Sequence, residues 1–368
     1  MDEINKRKSV MLILTENCNL ACSYCYEHHK TKNNMTFETA KKIIDEELTK
    51  EDGFEEVVFE FFGGEPFLEF ELIQKLHDYI FSHEWPKKAL CFATSNGTLV
   101  HGKIKEWLKK NKDTMYVALS LDGTKEMHDK NRSNSFDKID IDFFRETWPT
   151  QSCKMTVSEE TLPNLAEGLF YLQDRGFIVN VSMAQGIEWK KEDNLKILER
   201  ELKKIADYYI ENPDKPLPDF LDIKVGAVAF EGNEFNKFCG AGEQLIAYDI
   251  EGNFYPCQAF APQTLGKEES EIYKNTRTER FTKGFQDESC KGCVVYPICR
   301  TCYGANNLLS KDYRIRDKNQ CKFNKICIMA TCYIKYKRLF EIKGIDNLNE
   351  EELIELKGIQ RIQKELEI

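Results

Sequence analysis

The feature that most constrains this chain is a strand-then-helix alternation that repeats between Ser9 and about residue 211. Short β-branched or aromatic runs, at Val10 to Leu14, Glu56 to Phe62, Leu90 to Thr94, Met115 to Leu121, Lys154 to Val157 and Phe177 to Met183, read as six strands. Longer charged segments beginning near Thr36, Leu72, Gly102, Asp140, Pro163 and Asp193 read as helices; the first opens with Thr36 and Glu38 ahead of apolar residues at helical spacing. Alternation of this kind implies an α/β fold with a parallel sheet and right-handed crossovers. Six units make either an open doubly wound sheet or an incomplete barrel, and the pattern alone does not choose. In both, ligands gather at the carboxyl ends of the strands, so the residues just after each strand carry the chemistry.

The 368 residues include 14 cysteines, far more than an average cytosolic chain holds. The amino terminus lacks a signal peptide and no apolar run approaches a membrane span, which points to the cytoplasm and away from a membrane partner. A net charge of −10 repels a phosphate backbone, so nucleic acid is not an expected partner. A reducing compartment does not keep disulfides, and thiolate ligation of metal is the better reading of the cysteines. Three lie near the start, Cys91 and Cys153 are isolated, and nine crowd the stretch from Cys239 to Cys332.

Cys18, Cys22 and Cys25 form a CxxxCxxC loop directly after the first strand. A four-iron cube needs four ligands, so a protein supplying three leaves one iron open to a substrate. A zinc site would want four closed ligands, and His28 and His29 stand nearby. After the second strand comes Gly63-Gly64-Glu65-Pro66, where two glycines allow close backbone approach to a ligand and the carboxylate can hold an ammonium; the bland reading is a glycine turn. Ser95-Asn96-Gly97-Thr98 and Ser120-Leu121-Asp122-Gly123, after the third and fourth strands, are turn formers as well. Arg132 has the fork to clamp a carboxylate, or is a surface arginine, whereas His128 and Asp129 read as structural.

With Tyr24 just before Cys25 and the Gly-Gly-Glu-Pro run after the next strand, the front half resembles the radical S-adenosylmethionine superfamily. That resemblance implies a partial (β/α)6 barrel whose open iron chelates the methionine amino and carboxylate groups. An electron from the cluster then breaks the sulfur–carbon bond and releases a 5′-deoxyadenosyl radical. It also implies contacts to S-adenosylmethionine from Tyr24, Gly63, Gly64, Glu65, Pro66, Asn96, Ser120 and Arg132. Cys239, Gly252, Cys257, the run Cys290-x2-Cys293-x5-Cys299-x2-Cys302, and Cys321 resemble the SPASM extension, which carries two auxiliary four-iron clusters. By that likeness Cys290, Cys293, Cys299 and Cys321 hold one, and Cys239, Cys257 and Cys302 the other, for three [4Fe-4S] clusters in all. The gap between Cys299 and Cys302 is two residues where the family has three, and Gly232, Asn233 and Glu234 stand where some relatives supply a fourth ligand. Cys91, Cys153, Cys327 and Cys332 read as buried hydrophobes, the alternative for Cys327 or Cys332 being to replace an assigned ligand.

The linker ENPDKPLPD (Glu211 to Asp219) ends the alternation. The expected divisions are a barrel over 1–215, a SPASM domain over 216–340 held by metal more than by an apolar core, and a helical tail over 341–368. Radical enzymes with this extension divide mainly between maturases of ribosomally made peptides and anaerobic sulfatase maturases. The latter typically bear an Asp after the equivalent of Cys257, to take a proton during formylglycine formation; Gln258 has no such basicity and is instead a candidate substrate-site residue. Only seventeen residues precede Cys18, too few for a leader-binding domain, so a separate leader-recognition protein or the barrel itself is expected to bind the precursor peptide. An open auxiliary iron suits thioether formation; carbon–carbon crosslinking and epimerisation would use the same front end. A flavodoxin- or ferredoxin-type donor and an anaerobic cytoplasm are expected. A non-catalytic iron–sulfur electron carrier is the remaining alternative and would not need the Gly-Gly-Glu-Pro run.

Overall fold

The computed structural model describes residues 6–231, 239–276 and 287–366, so Gly232, Asn233 and Glu234 lie outside the described residues. The chain forms two compact units. One comprises Met1–Lys154, Asp174–Ile178 and Gly240–Lys283; the other comprises Met155–Gln173, Val179–Cys239 and Gly284–Ile368.

In the first unit, β1 (Arg7–Thr15), β2 (Glu56–Gly63), β3 (Lys88–Ser95) and β4 (Met115–Leu119) lie side by side in chain order and all run parallel. A doubly wound sheet reverses its strand order at a switch point, whereas a barrel adds strands in sequence, so this monotonic order selects the barrel-type alternative. The crossovers are α1 (Phe37–Thr49), α2 (Phe70–Phe81) and α3 (Gly102–Lys110). Thr36 caps α1 by accepting from Thr39 N at 3.1 Å, as its position ahead of the apolar run predicts. Beyond β4 the parallel pattern continues, with Leu121 N donating to Lys154 O at 2.8 Å. Leu12, Leu14, Val57, Phe59 and Phe61 are fully buried and fill the core between sheet and helices.

Two strands fall outside the expected set. β7 (Leu245–Tyr248) pairs parallel with the far edge of β1, and β8 (Phe254–Tyr255) pairs antiparallel with β7. Tyr248 Oη donates to the buried Glu47 of α1 at 2.8 Å, which fastens β7 to the first crossover. The compact units therefore cut across the linear division expected at residue 215.

β5 (Cys153–Val157) and β6 (Val179–Met183) form a two-stranded sheet. Between β4 and β5 come α4 (Lys125–Asn131) and α5 (Ile141–Thr147); α6 (Leu165–Asp174) and α7 (Asn194–Glu211) flank β6, and the short α8 (Pro262–Leu265) and α9 (Lys267–Ser270) follow β8. The second unit ends in α10 (Tyr303–Ser310), α11 (Lys318–Tyr336) and α12 (Glu350–Glu365). Ile223, Val225, Val228, Val294, Val295, Ile328, Cys332, Ile359 and Ile362 close into an apolar cluster, so this unit has an apolar core of its own. α12 belongs to it rather than forming a tail: a Cβ on Gly358 would meet Val225 O at 2.1 Å, so the helix lies backbone-close on that segment. Among the described residues no helix is long and apolar enough to cross a membrane.

Candidate active site

β1 ends in an irregularity. Ile13 pairs with Phe62 but Thr15 pairs with Gly63, so the register slips by a residue and the chain turns into the loop that carries Cys18, Cys22 and Cys25. The two glycines after β2 support that turn. Gly63 has φ +149°, and a Cβ there would lie 2.2 Å from Thr15 O; a Cβ on Gly64 would lie 2.3 Å from Asn17 O and 2.8 Å from Cys18 Cβ. Gly64 N donates to Thr15 O (3.1 Å) and Glu65 N to Asn17 O (2.9 Å). The glycines thus let the end of β2 seat against the root of the cysteine loop, where sequence reasoning assigned the close approach to a ligand.

Glu65 is almost wholly buried and takes three donors: Ser95 Oγ (2.8 Å) and Phe67 N (3.2 Å) on Oε1, and Asn96 N (2.8 Å) on Oε2. Burial pushes its carboxyl up to about 7, against the opposing pull of Asn96, Ser95, Phe67 and Arg132. A carboxyl raised in the folded state keeps a proton that the unfolded chain has lost, so stability is fully present below about pH 4.5 and declines as pH rises through about 7. The urea midpoint should accordingly drop more between about pH 5 and about pH 8 in the native chain than in a Glu65→Gln variant; parallel profiles would refute this placement of the carboxyl. Asn96 is engaged on both sides. Its Nδ2 donates to Asn19 Oδ1 (2.9 Å) and its Oδ1 accepts from Thr98 N (3.0 Å) and Thr98 Oγ1 (2.7 Å), so it ties the end of β3 to the cysteine loop. Ser120, buried after β4, donates its backbone N–H to Ser95 O at 2.8 Å.

Asp122 organises the far side of the loop. Fully buried, it accepts a bidentate pair from Arg132 (Nε at 2.9 Å and Nη2 at 3.1 Å), the Tyr24 hydroxyl (2.7 Å) and Asn131 Nδ2 (3.1 Å). The guanidinium carbon of Arg132 lies 5.4 Å from the Tyr24 ring centroid. Arg132 therefore clamps a carboxylate of this chain and is buried, unlike the surface arginine of the alternative reading. Ser23 N donates to Asn131 O (2.9 Å) and Ala21 N to the Ser133 hydroxyl (3.1 Å), which docks the loop on the end of α4 and the turn after it. His128 is structural as expected. Its Nδ1 accepts from Asp122 N (3.3 Å), its Nε2 meets Ser135 Oγ (3.0 Å), and burial lowers it to about 4, which keeps it neutral.

The segment after Cys25 supplies groups that sequence reasoning passed over. Lys30 Nζ donates to Cys25 Sγ at 3.0 Å and lies 3.9 Å from Glu27 Oε2. Burial alone would lower this ammonium, but the Cys25 bond and the neighbouring thiols and carboxylate raise it overall. Glu27, pushed up to about 7 by burial, accepts from Gln263 Nε2 at 3.1 Å. Gln258 Nε2 reaches the Tyr26 hydroxyl at 3.5 Å, and the amide oxygens of Gln258 and Gln263 are buried with no hydrogen-bond partner among the described residues.

No disulfide joins any of the cysteines among the described residues. Burial pushes the Cys18 thiol up to about 11 and raises Cys22, opposed by the cations Lys30 and Arg132 that face them; a ligand set must deprotonate, and those cations favour that. Among the described residues no three His, Cys, Asp or Glu side chains close as tightly as ligands of a single metal ion. The His29 ring lies against Gly266, where a Cβ would come within 3.2 Å of it. Three interacting thiols with cations beside them are a donor set that fits an iron–sulfur cluster. In the second unit, Cys299 interacts electrostatically with Cys321, Cys293 and Cys290 as well as with Arg316, so those four cysteines are brought together. Cys302 caps α10, accepts from Ala305 N at 3.4 Å and interacts with Cys239, while Cys257 belongs to the first unit. Cys91, Cys153, Cys327 and Cys332 are buried, and burial pushes Cys327 and Cys332 up to about 12, as core thiols should be.

Residues 12–141 match the radical SAM superfamily. The chain is 26% identical over 337 residues to a cysteine-type anaerobic sulfatase-maturating enzyme of Clostridium novyi, covering 80% of this chain and 87% of that one. It is 30% identical over 247 residues to the uncharacterized protein MJ0907 of Methanocaldococcus jannaschii, covering 63% of this chain and 84% of that one. Among solved structures, native anSMEcpe with bound AdoMet and Kp18Cys peptide superposes with a TM-score of 0.68 at 19% identity, over 89% of this chain and 98% of that one. Streptococcus suis SuiB bound to precursor peptide SuiA gives 0.57 at 17% identity, over 86% and 76%. At these identities the structural likeness speaks for the fold.

Proposed function

This chain belongs to the radical SAM superfamily, and from that premise we propose that it is a SPASM-type maturase that forms a thioether in a ribosomally made peptide. Cys18, Cys22 and Cys25 would hold the front cluster, which when bound supplies the electron that splits S-adenosylmethionine. Tyr24, the Gly63 to Pro66 turn, Asn96, Ser120 and Arg132 would shape the cofactor's bed, Arg132 by fixing Tyr24 and Asp122. Cys290, Cys293, Cys299 and Cys321 would hold an auxiliary cluster, and the other SPASM cysteines a third. A flavodoxin- or ferredoxin-type protein in an anaerobic cytoplasm would supply electrons, and a separate leader-binding protein or the barrel itself would hold the leader.

The observation that carries this reading is Gln258. Formylglycine formation needs a base after the equivalent of Cys257, and here an amide stands there, engaged with Tyr26. In a thioether the substrate's C–H and S–H bonds break and a C–S bond forms. One hydrogen leaves with the deoxyadenosyl group, and a proton and an electron go to acceptors. Incubation with the short Cys-containing peptide encoded beside the gene should remove two hydrogens from its mass and block alkylation of its thiol. An unchanged peptide, together with conversion of a sulfatase-type cysteine sequence, would reverse the assignment. Glu27 favours that second reading: it is a buried carboxyl near neutrality on the segment that touches Gln258 and Gln263, and it could take the proton in place of the missing Asp.

A further inference from the structure

Lys30 is not a swinging surface lysine. Only about a quarter of its side chain is exposed, at 24%. Its neighbours on the loop are anchored: His29 N donates to Gln263 O at 2.9 Å, and Glu27 is held by Gln263 Nε2 at 3.1 Å. From that fixed stem Nζ reaches Cys25 Sγ at 3.0 Å, with Glu27 Oε2 3.9 Å away on its other side. Cys18 and Cys22 also feel its charge.

We propose that Lys30 is a positioning residue that sets the reduction potential of the front cluster, through a charge-assisted hydrogen bond to the Cys25 ligand. The inference rests on the reading of Cys18, Cys22 and Cys25 as that cluster's ligands. Reduction adds negative charge to the cluster, and a cation bonded to one of its sulfurs stabilises the reduced state more than the oxidised one, which raises the potential. Partial burial keeps solvent and salt from screening the charge. Lys30 thereby eases electron uptake from a modest donor, and the Glu27 carboxylate limits the effect.

The test uses full-length protein reconstituted anaerobically and follows the cluster whose electron paramagnetic resonance signal changes when S-adenosylmethionine is added. In Lys30→Met, which keeps the length and loses the charge, the reduced-to-oxidised ratio of that cluster at a fixed applied potential should fall about tenfold, a shift of about 59 mV for one electron. Lys30→Arg should restore most of it. A Lys30→Met cluster that titrates with the native one overturns the proposal. If Lys30→Met takes up no iron, Lys30→Gln, a neutral donor of similar reach, decides: a lower potential supports the inference and an unchanged one overturns it. Should no signal of the native protein respond to S-adenosylmethionine, it is the assignment of the front cluster that fails.

Discussion

Protein carrying alanine at Cys18, Cys22 and Cys25 is expected to release no 5′-deoxyadenosine above background under anaerobic reducing conditions, while keeping any iron that the cysteines of its second unit hold in the native protein. If the chemical step is lost entirely, the fall is on the order of 10⁶-fold or more. The fold should survive, because the loop is held by its backbone rather than by its thiols: Gly64 N to Thr15 O, Glu65 N to Asn17 O and Ser23 N to Asn131 O all remain. Quantifying the nucleoside by chromatography, with iron content and circular dichroism on the same sample, checks each part. A triple variant that still cleaves S-adenosylmethionine, or a native protein that carries zinc on this loop, would sink the assignment.

Asp122→Ala should cost about 3–5 kcal/mol of stability, since it strands the Arg132 guanidinium in a buried site without its counter-charge. Tyr24 Oη and Asn131 Nδ2 lose the same acceptor, so the damage extends to the docking of the cysteine loop on α4. Asp122→Asn, which keeps the shape, should cost less. Denaturant unfolding of the metal-free proteins measures the difference, and a midpoint equal to that of the native chain would show that Asp122 does not hold this corner together.

Much of this architecture was legible in the residues. Each of the six expected strands forms, because local alternation of apolar runs and charged helices survives in a sheet buried by its own crossovers. β7 was not legible. Leu-Ile-Ala-Tyr is too short to stand out, and its partner β1 lies more than two hundred residues upstream, so periodicity carries no trace of the pairing. The apolar core of the second unit was hidden for another reason: Ile223, Val228, Val294, Ile328 and Ile359 come from separate stretches of chain, so no single window shows their meeting. At the site, the cysteine loop and its glycine supports announce themselves by spacing, whereas Asp122 reads as one more turn residue in Ser-Leu-Asp-Gly. Only the bidentate bond from Arg132, ten residues on, reveals its role. Lys30, Glu27 and Gln263 form a connected set that spans 236 residues of chain between Glu27 and Gln263, and no local motif encodes such a meeting.

The pairing of β7 with β1 bears on how the protein is made. While a ribosome is still extending the chain, everything up to residue 215 can emerge and begin to collapse, yet the outer border of β1 keeps its amide and carbonyl groups unpaired until Leu245–Tyr248 arrives. An unpaired border of that kind invites association with other chains. A fragment cut at the linker would carry the liability permanently, so the catalytic half of this protein depends on residues translated long after its cysteine loop.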